Sequence, residues 1–175
     1  MSREIPEPDI VPFDRRYERA GFSCGEPGLD EWLVRYSGQS ERKHTTRTFL
    51  AVDHVSNTVL GYYATTAIEI QPDSTGRTSA SGKRRYPMPA ILIARLAVDR
   101  AAQGRGLGGI LLTDALCRIL EASKSVGFEV VVVDAIDLDA STFYRRYGFT
   151  PFADDELHLF MTTKTLRATF LAAGE

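Results

Sequence analysis

Cysteine is scarce in this chain: Cys24 and Cys117 are the only two among 175 residues. A secreted disulfide scaffold is therefore not expected, and a cytosolic protein is the default reading. No apolar run reaches about 18 residues, so no membrane span is expected. The start, Met1-Ser2-Arg3-Glu4-Ile5-Pro6, lacks the apolar core of a signal peptide. An excess of basic residues is missing too, since 21 Lys and Arg stand against 23 Asp and Glu for a net charge of −2. That argues against a uniformly basic nucleic-acid coat and leaves room for a local basic face. What is present is ordinary: 43% hydrophobic and 25% charged residues, which argues against disorder, collagen and coiled coil. The length suits one domain over 1–175, able to bury about two-thirds of its unfolded surface without metal or disulfide.

Residues 1–12 hold three prolines and several acids and read as an irregular arm. From Gly28 to about His44 the pattern is helical, because Leu29, Trp32, Leu33 and Tyr36 recur at three- and four-residue steps, with Asp30 as candidate cap. Thr48–Val52 and Val59–Ile70 read as an antiparallel pair about an Asn57-Thr58 turn. Residues 71–86, rich in Gly, Ser and Thr, read as a mobile exposed loop. Pro89–Val98 is a buried-type strand. Gly106–Val126 is the strongest helix, with a stripe of Leu107, Leu111, Ala115, Ile119 and Ala122 and with Gly127 placed to close it. Phe128–Val133 is a further buried strand, Leu138–Tyr147 a short helix closed by Gly148, and 149–152 with 157–163 a final hairpin. The tail 165–175 has Leu166, Phe170 and Leu171 at helical spacing, suited to docking on the body or on a partner. This order predicts an α/β (α+β) fold: a mixed, mostly antiparallel sheet with flanking helices and one parallel crossover.

The segment that stands out runs from Arg95 through Leu96, Ala97 and Val98 into the glycine-dense turn Gln103-Gly104-Arg105-Gly106-Leu107-Gly108-Gly109. A strand enters the turn and a long helix leaves it. Glycines let successive N–H groups point into one concavity and let a ligand approach the backbone. The helix N-terminus adds positive potential, so the turn suits a pyrophosphate. Gln103 and Arg105 add side-chain donors. As a bare pattern the turn is equally a plain strand-to-helix connection. It is not a P-loop, for no Gly-Lys-Ser/Thr follows, and it is a poor dinucleotide fingerprint.

Gln103-x-x-Gly106-x-Gly108 resembles the acetyl-CoA motif of the GCN5-related N-acetyltransferases, and the order of elements over roughly residues 10–165 is similar to that family too. Within it, Phe22-x-Cys24-Gly25, Leu29-Asp30-x-Trp32-Leu33, Gly61-Tyr62-Tyr63, Arg95-Leu96-Ala97-Val98-Asp99 and Phe143-Tyr144-x-x-x-Gly148-Phe149 look like the TacT/AtaT-type acetyltransferase toxins of toxin–antitoxin pairs. The resemblance implies a GNAT fold whose strands at 90–98 and 128–134 splay apart. It implies backbone pairing of Leu96, Ala97 and Val98 with the pantetheine arm. It implies that Gln103, Gly104, Arg105, Gly106, Leu107, Gly108 and Gly109 hold the pyrophosphate, with Phe143 also at the cofactor. It further implies acetylation of the α-amino group of aminoacyl-tRNA, a ribbon–helix–helix antitoxin as partner, and a homodimer.

Acetyl transfer to an amine needs a neutral amine, juxtaposition and an acid for the departing thiolate. The strand Pro89–Val98 carries no carboxylate before Asp99. An acceptor lysine, at about 10.4, would want such a base, whereas an α-amino group at about 7.7–8.0 needs much less help. Glu69 is a candidate base, read otherwise as a solvated strand-end carboxylate. Tyr144 is the candidate acid: the resemblance sets its hydroxyl at the thioester sulfur, while the pattern alone allows simple packing beside Phe143. Tyr147 reads as helix-end packing.

From residue 83 to 118, seven basic residues stand against two acidic ones, a net +5 that leaves −7 for the rest of the chain. A phosphate-binding face on an acidic body, or scattered solvated charge, would both give this. Lys83, Arg84 and Arg85 are the preferred tRNA contacts, with Arg95 a further candidate; Arg42, Lys43, Arg47, Arg145 and Arg146 could extend the face. His44, His54 and His158 show no ligand spacing, so no metal is expected. Cys117 reads as packing on the long helix, and Cys24 has no partnered base. Two other functions stay open: acetylation of a small amine or a protein N-terminus, and a CoA-binding regulatory module without turnover.

Overall fold

The computed structural model describes residues 7–71, 77–78, 82–83, 86–153 and 155–172. Its nine strands among these residues are β1 (Asp9–Pro12), β2 (Arg47–Asp53), β3 (Thr58–Ile70), β4 (Arg77–Thr78), β5 (Gly82–Lys83), β6 (Met88–Val98), β7 (Val130–Asp134), β8 (Thr150–Phe152) and β9 (Asp155–Thr162). The helices are α1 (Pro27–Glu31), α2 (Ser37–Arg42), α3 (Leu107–Ala122), α4 (Leu138–Arg146) and α5 (Thr163–Ala172). One sheet has the order β1-β2-β3-β6-β7-β9-β8. The β1–β2, β2–β3, β7–β9 and β8–β9 pairs are antiparallel, and β6–β7 is parallel. The expected mixed sheet and its single strand–helix–strand crossover are therefore present.

Two compact units emerge from the chain: residues up to Thr66 with Arg95–Ala115, and Ala67–Ala94 with the residues from Leu116 onward. In the first unit β1 pairs with β2 from Asp9↔Val52 to Pro12↔Phe49. The irregular arm expected over 1–12 is thus a strand at its end. Ile10 and Val11 supply apolar side chains, and Pro12 is tolerated because an edge strand need not donate on both sides. Pro27 opens α1, since a proline ring presets helical φ at the first position. A π-helical turn, Trp32–Tyr36, follows and turns Trp32 and Leu33 inward, joining α1 to α2. The core here is Phe22, Trp32, Leu33, Leu50, Val59, Tyr62 and Ala97. Each buried side chain of this size contributes about 1.5–3 kcal/mol relative to exposure. Asp30 does not cap. The residue before α1 is Glu26, and the Asp30 carboxylate instead accepts the Cys24 N–H at 2.8 Å. Pro27 starts the helix early and leaves Asp30 inside the first turn.

In the second unit β7 lies between parallel β6, paired from Ala90↔Val130 to Ile93↔Val133, and antiparallel β9. Val130, Val132, Met88, Ala90 and Phe152 form its core, as the unbroken apolar run of β7 requires. The helix expected over 106–126 ends at Ala122. Ser123 Oγ donates to the Leu120 carbonyl at 2.6 Å and competes with the helical ladder there. Gly127 is not left-handed and closes nothing. Gly148 does close α4, at φ +97°, with its N–H on the Arg145 carbonyl and that of Phe149 on the Tyr144 carbonyl. Asp137 caps the other end by accepting the Ala140 N–H at 2.8 Å.

The tail is largely helix α5. It docks through buried Leu166 and through Thr163, whose hydroxyl donates to the Phe128 carbonyl at 2.9 Å; Leu171 is exposed. Within the loop expected over 71–86, Arg77–Thr78 and Gly82–Lys83 pair as a short antiparallel ladder. Arg84 and Arg85 lie outside the described residues.

Candidate active site

Strand β6 runs five residues beyond its last pair with β7, from Ala94 to Val98. Leu96 and Val98 are half-buried and Ala97 is buried. The chain then makes a 3₁₀ turn, Arg100–Ala102, whose start is fixed by Asp99 accepting the Ala101 N–H. Gly104 and Gly106 follow in the left-handed region, at φ +77° and +82°. Only glycine takes such a pair without strain. A Cβ built on either would meet nothing within 4 Å, so one side of the turn is open backbone. The N–H groups of Leu107, Gly108 and Gly109 begin α3 and have no partner within the helix, because the first turn never supplies one. Open amides, two left-handed glycines and a helix N-terminus together fit a pyrophosphate. Arg105 is exposed beside them.

Gln103 does something the pattern did not indicate. Its side-chain amide donates to both the Cys24 and Val98 carbonyls, each at 2.8 Å. The group expected to reach a phosphate is thus occupied in bracing the turn.

Arg95 lies with its guanidinium 4.4 Å from the Trp32 ring centroid, and Trp32 stacks on Tyr62 at 5.8 Å. Burial pulls the Arg95 pKa down from its usual value, and the aromatic face offsets part of that desolvation. The Tyr62 hydroxyl donates to the Leu29 carbonyl at 2.7 Å. The motif quoted around Leu29, Trp32 and Tyr62 is therefore one stack that seats Arg95. Sequence reasoning placed those residues but not their contact.

Tyr144, on α4 in the second unit, is buried. Its ring meets Phe143 and Phe149 edge-on, at 5.2 and 5.8 Å. Burial, and then the nearby Asp134 charge, push its pKa up to about 12. The phenol is consequently a neutral donor throughout the physiological range, and its hydroxyl makes no hydrogen bond with any described residue. Tyr147 packs on Phe143 at the helix end, 37% exposed. Asp134 bonds His158, whose ring stacks on Phe152 at 4.3 Å.

Other candidates separate. Glu69 is exposed on β3. His44 contacts Arg47, and His54 contacts Asp9, so each histidine sits in its own pair. Cys117 is exposed rather than packed, because its position falls off the Leu111–Ala115–Ile119 stripe. Burial raises the Cys24 thiol to about 11, far from a thiolate at neutral pH.

Comparison with known proteins agrees with this geometry. The family model described as an acetyltransferase (GNAT) domain matches residues 45–151. A curated relative from Mycobacterium tuberculosis (strain H37Rv), named tRNA-acetylating toxin, is 36% identical over 151 residues, covering 84% of this chain and 87% of that protein. Two solved structures superpose closely. One is a tyrosine-to-phenylalanine variant of the toxin AtaT bound to the C-terminus of the antitoxin AtaR and acetyl-CoA, with TM-score 0.81, 27% identity and coverage of 94% of this chain and 98% of that one. The other is AtaT complexed with acetyl-methionyl-tRNAfMet, with TM-score 0.80, 27% identity and coverage of 93% and 99%. The matched segment contains the strand, the glycine turn, its helix and Tyr144, so the chain belongs to the GNAT acetyltransferase family and is an N-acetyltransferase.

Proposed function

We propose that this enzyme is a toxin that transfers acetyl from acetyl-CoA to the α-amino group of an aminoacyl-tRNA and so blocks translation. The observation that carries the reading is the 36% identity, over most of both chains, to a relative named for that reaction. The AtaT complexes with acetyl-CoA and with acetyl-methionyl-tRNA support it. When bound, acetyl-CoA supplies an activated acetyl thioester. The backbone of Leu96, Ala97 and Val98 lies beyond the β6–β7 ladder and pairs with a pantetheine arm through the groups that β3 and the Gln103 side chain leave available. The amides from Gly104 to Gly109 hold the pyrophosphate, with Arg105 adding charge, and the family resemblance assigns Phe143 to the cofactor as well. Tyr144 keeps its proton on Oη and would give it to the sulfur as the C–S bond breaks and the amine nitrogen forms its bond to the acetyl carbon, the proton shed by that nitrogen restoring the phenol. Burial holds the phenol near 12, so it is protonated and able to donate at neutral pH.

β6 carries no carboxylate before Asp99, so the acceptor arrives as a neutral amine, which favours an α-amine over a lysine. Lys83, Arg84, Arg85 and Arg95 contact the tRNA phosphates. The whole chain acts as one GNAT domain, in the cytoplasm where charged tRNA is found, as a homodimer neutralised by a ribbon–helix–helix antitoxin.

The test is incubation with labelled acetyl-CoA and total charged tRNA, followed by identification of the acetylated amino acid. Label in the aminoacyl fraction is the expected result. Label in free amines or protein N-termini only, or binding without any turnover, would overturn the reading. Reversing the charges of Lys83, Arg84 and Arg85 is expected to weaken tRNA acetylation and flatten its salt dependence.

A further inference from the structure

The glycine turn is tied to a segment some 75 positions earlier. Asp99 sits at the junction: its N–H donates to the Leu60 carbonyl at 2.8 Å, holding the end of β6 to β3. One carboxylate oxygen accepts the Ala101 N–H at 2.9 Å, and the other accepts the Ser23 N–H at 3.0 Å. The Arg100 N–H returns to the Ser23 carbonyl at 2.8 Å. Gln103 spends its amide on the Cys24 and Val98 carbonyls. Two carbonyl acceptors require the NH₂ end of that side chain, so the arrangement has one polarity. The Arg100 guanidinium lies over Gly25, 3.6 Å from where a Cβ would stand, and Gly25 is left-handed at φ +103°. The Cys24 N–H is fixed in turn by Asp30 of α1. Every polar backbone group from the Ser23 N–H to the Cys24 carbonyl is therefore used, and three of the four bonds end on residues 99–103.

We propose that Asp99 and Gln103 are positioning residues: they clamp the Ser23–Gly25 loop against the glycine turn and thereby set the direction of the amides that hold the pyrophosphate. Neither side chain is assigned to the cofactor. Asp99 would in fact repel an anion, and its place beside an anion-binding turn is explained by the two N–H groups it accepts. Gln103 opens the glycine motif yet acts through the strand end and the loop. The short Phe22-x-Cys24-Gly25 motif thereby acquires a role as the buttress of a site it does not line. This rests on the reading of Gly104–Gly109 as the acetyl-CoA turn.

The test is the affinity for CoA, by titration calorimetry, of wild type, Asp99→Asn and Gln103→Leu. Asp99→Asn is decisive because two mechanisms give opposite signs. Removing a negative charge beside the turn would tighten anion binding by electrostatics alone, whereas a loosened clamp weakens it. We expect both variants to bind CoA about ten-fold more weakly. With charged tRNA, KM for acetyl-CoA rises while kcat stays within about two-fold, since Tyr144 is untouched. Asp99→Asn binding as tightly as wild type, or Gln103→Leu unchanged, would overturn the clamp. Amide hydrogen exchange of the unliganded proteins gives a readout independent of turnover. The clamp predicts faster exchange at both 23–25 and 104–107 in Gln103→Leu, and unchanged exchange at 104–107 counts against it. If wild type binds CoA but leaves charged tRNA unlabelled, the acceptor assignment fails and the clamp is still read from affinity and exchange.

Discussion

The carbonyl oxygen of Ala97 stands 3.0 Å from the point where a side chain on Gly61 would begin. Leu111 of α3 crowds the same point at 2.9 Å. The leucine end can shift, but the carbonyl belongs to the β6 segment assigned to the pantetheine arm. Gly61→Ala is therefore expected to push β3 from β6 and cost about 1–3 kcal/mol by overpacking. A urea melt measures this. Gly21→Ala is the matched control, with nothing within 4 Å of its new Cβ, and is expected to stay within about 0.5 kcal/mol of wild type.

Arg95 carries its charge on the Trp32 face with burial against it. A guanidinium held this way is pre-positioned for a phosphate, because it is already partly stripped of water. Arg95→Gln is expected to raise KM for charged tRNA and to reduce the slope of log affinity against log salt by about one. An unchanged slope would return Arg95 to a packing role on Trp32. Acetyl-CoA affinity serves as the internal control and is expected to hold.

Most of the sheet was legible because its strands are written in local pattern. The apolar run of β7 and the hairpin about Asn57, left-handed at φ +55°, need no distant information. The glycine turn was legible for the same reason: Gly104 and Gly106 carry their conformation in their identity. What escaped were relationships set by tertiary contact. Pro12 and the acids around it masked a strand that exists because β2 offers an edge. Helical spacing makes Asp30 a candidate cap, yet its carboxylate serves the Cys24 N–H. Its place in the glycine turn makes Gln103 a candidate phosphate donor, although the carbonyls it braces lie at Val98 and, far upstream, at Cys24. The family resemblance marks residues 22–25 as noteworthy, but no local rule says that they meet residue 99.

Tyr144→Phe separates chemistry from packing. The ring contacts with Phe143 and Phe149 survive the change, and only the hydroxyl is lost. The thermal midpoint is therefore expected to stay close to that of wild type. Turnover is expected to fall by about 10²–10⁴, the range for loss of a positioned acid, with CoA affinity kept. Equal turnover in the variant would remove Tyr144 from the mechanism.

The pH profile follows from the two groups that must hold opposite protonation states. The acceptor amine must be neutral, so the rate rises as pH climbs through about 7.7–8.0, the range of a free α-amino group. Tyr144 must be protonated, and its pKa is raised to about 12. A group that acts in its protonated form with a raised pKa is fully competent below that value and is lost only as pH rises through it. The profile of kcat/KM for charged tRNA is therefore expected to show one ascending limb and a plateau, with no alkaline fall up to about pH 10. An ordinary exposed phenol, near 10, would instead bend the curve down within the measurable range. A descending limb at pH 9–10 that vanishes in Tyr144→Phe would show that Tyr144 titrates as a solvated tyrosine, against the burial seen on α4.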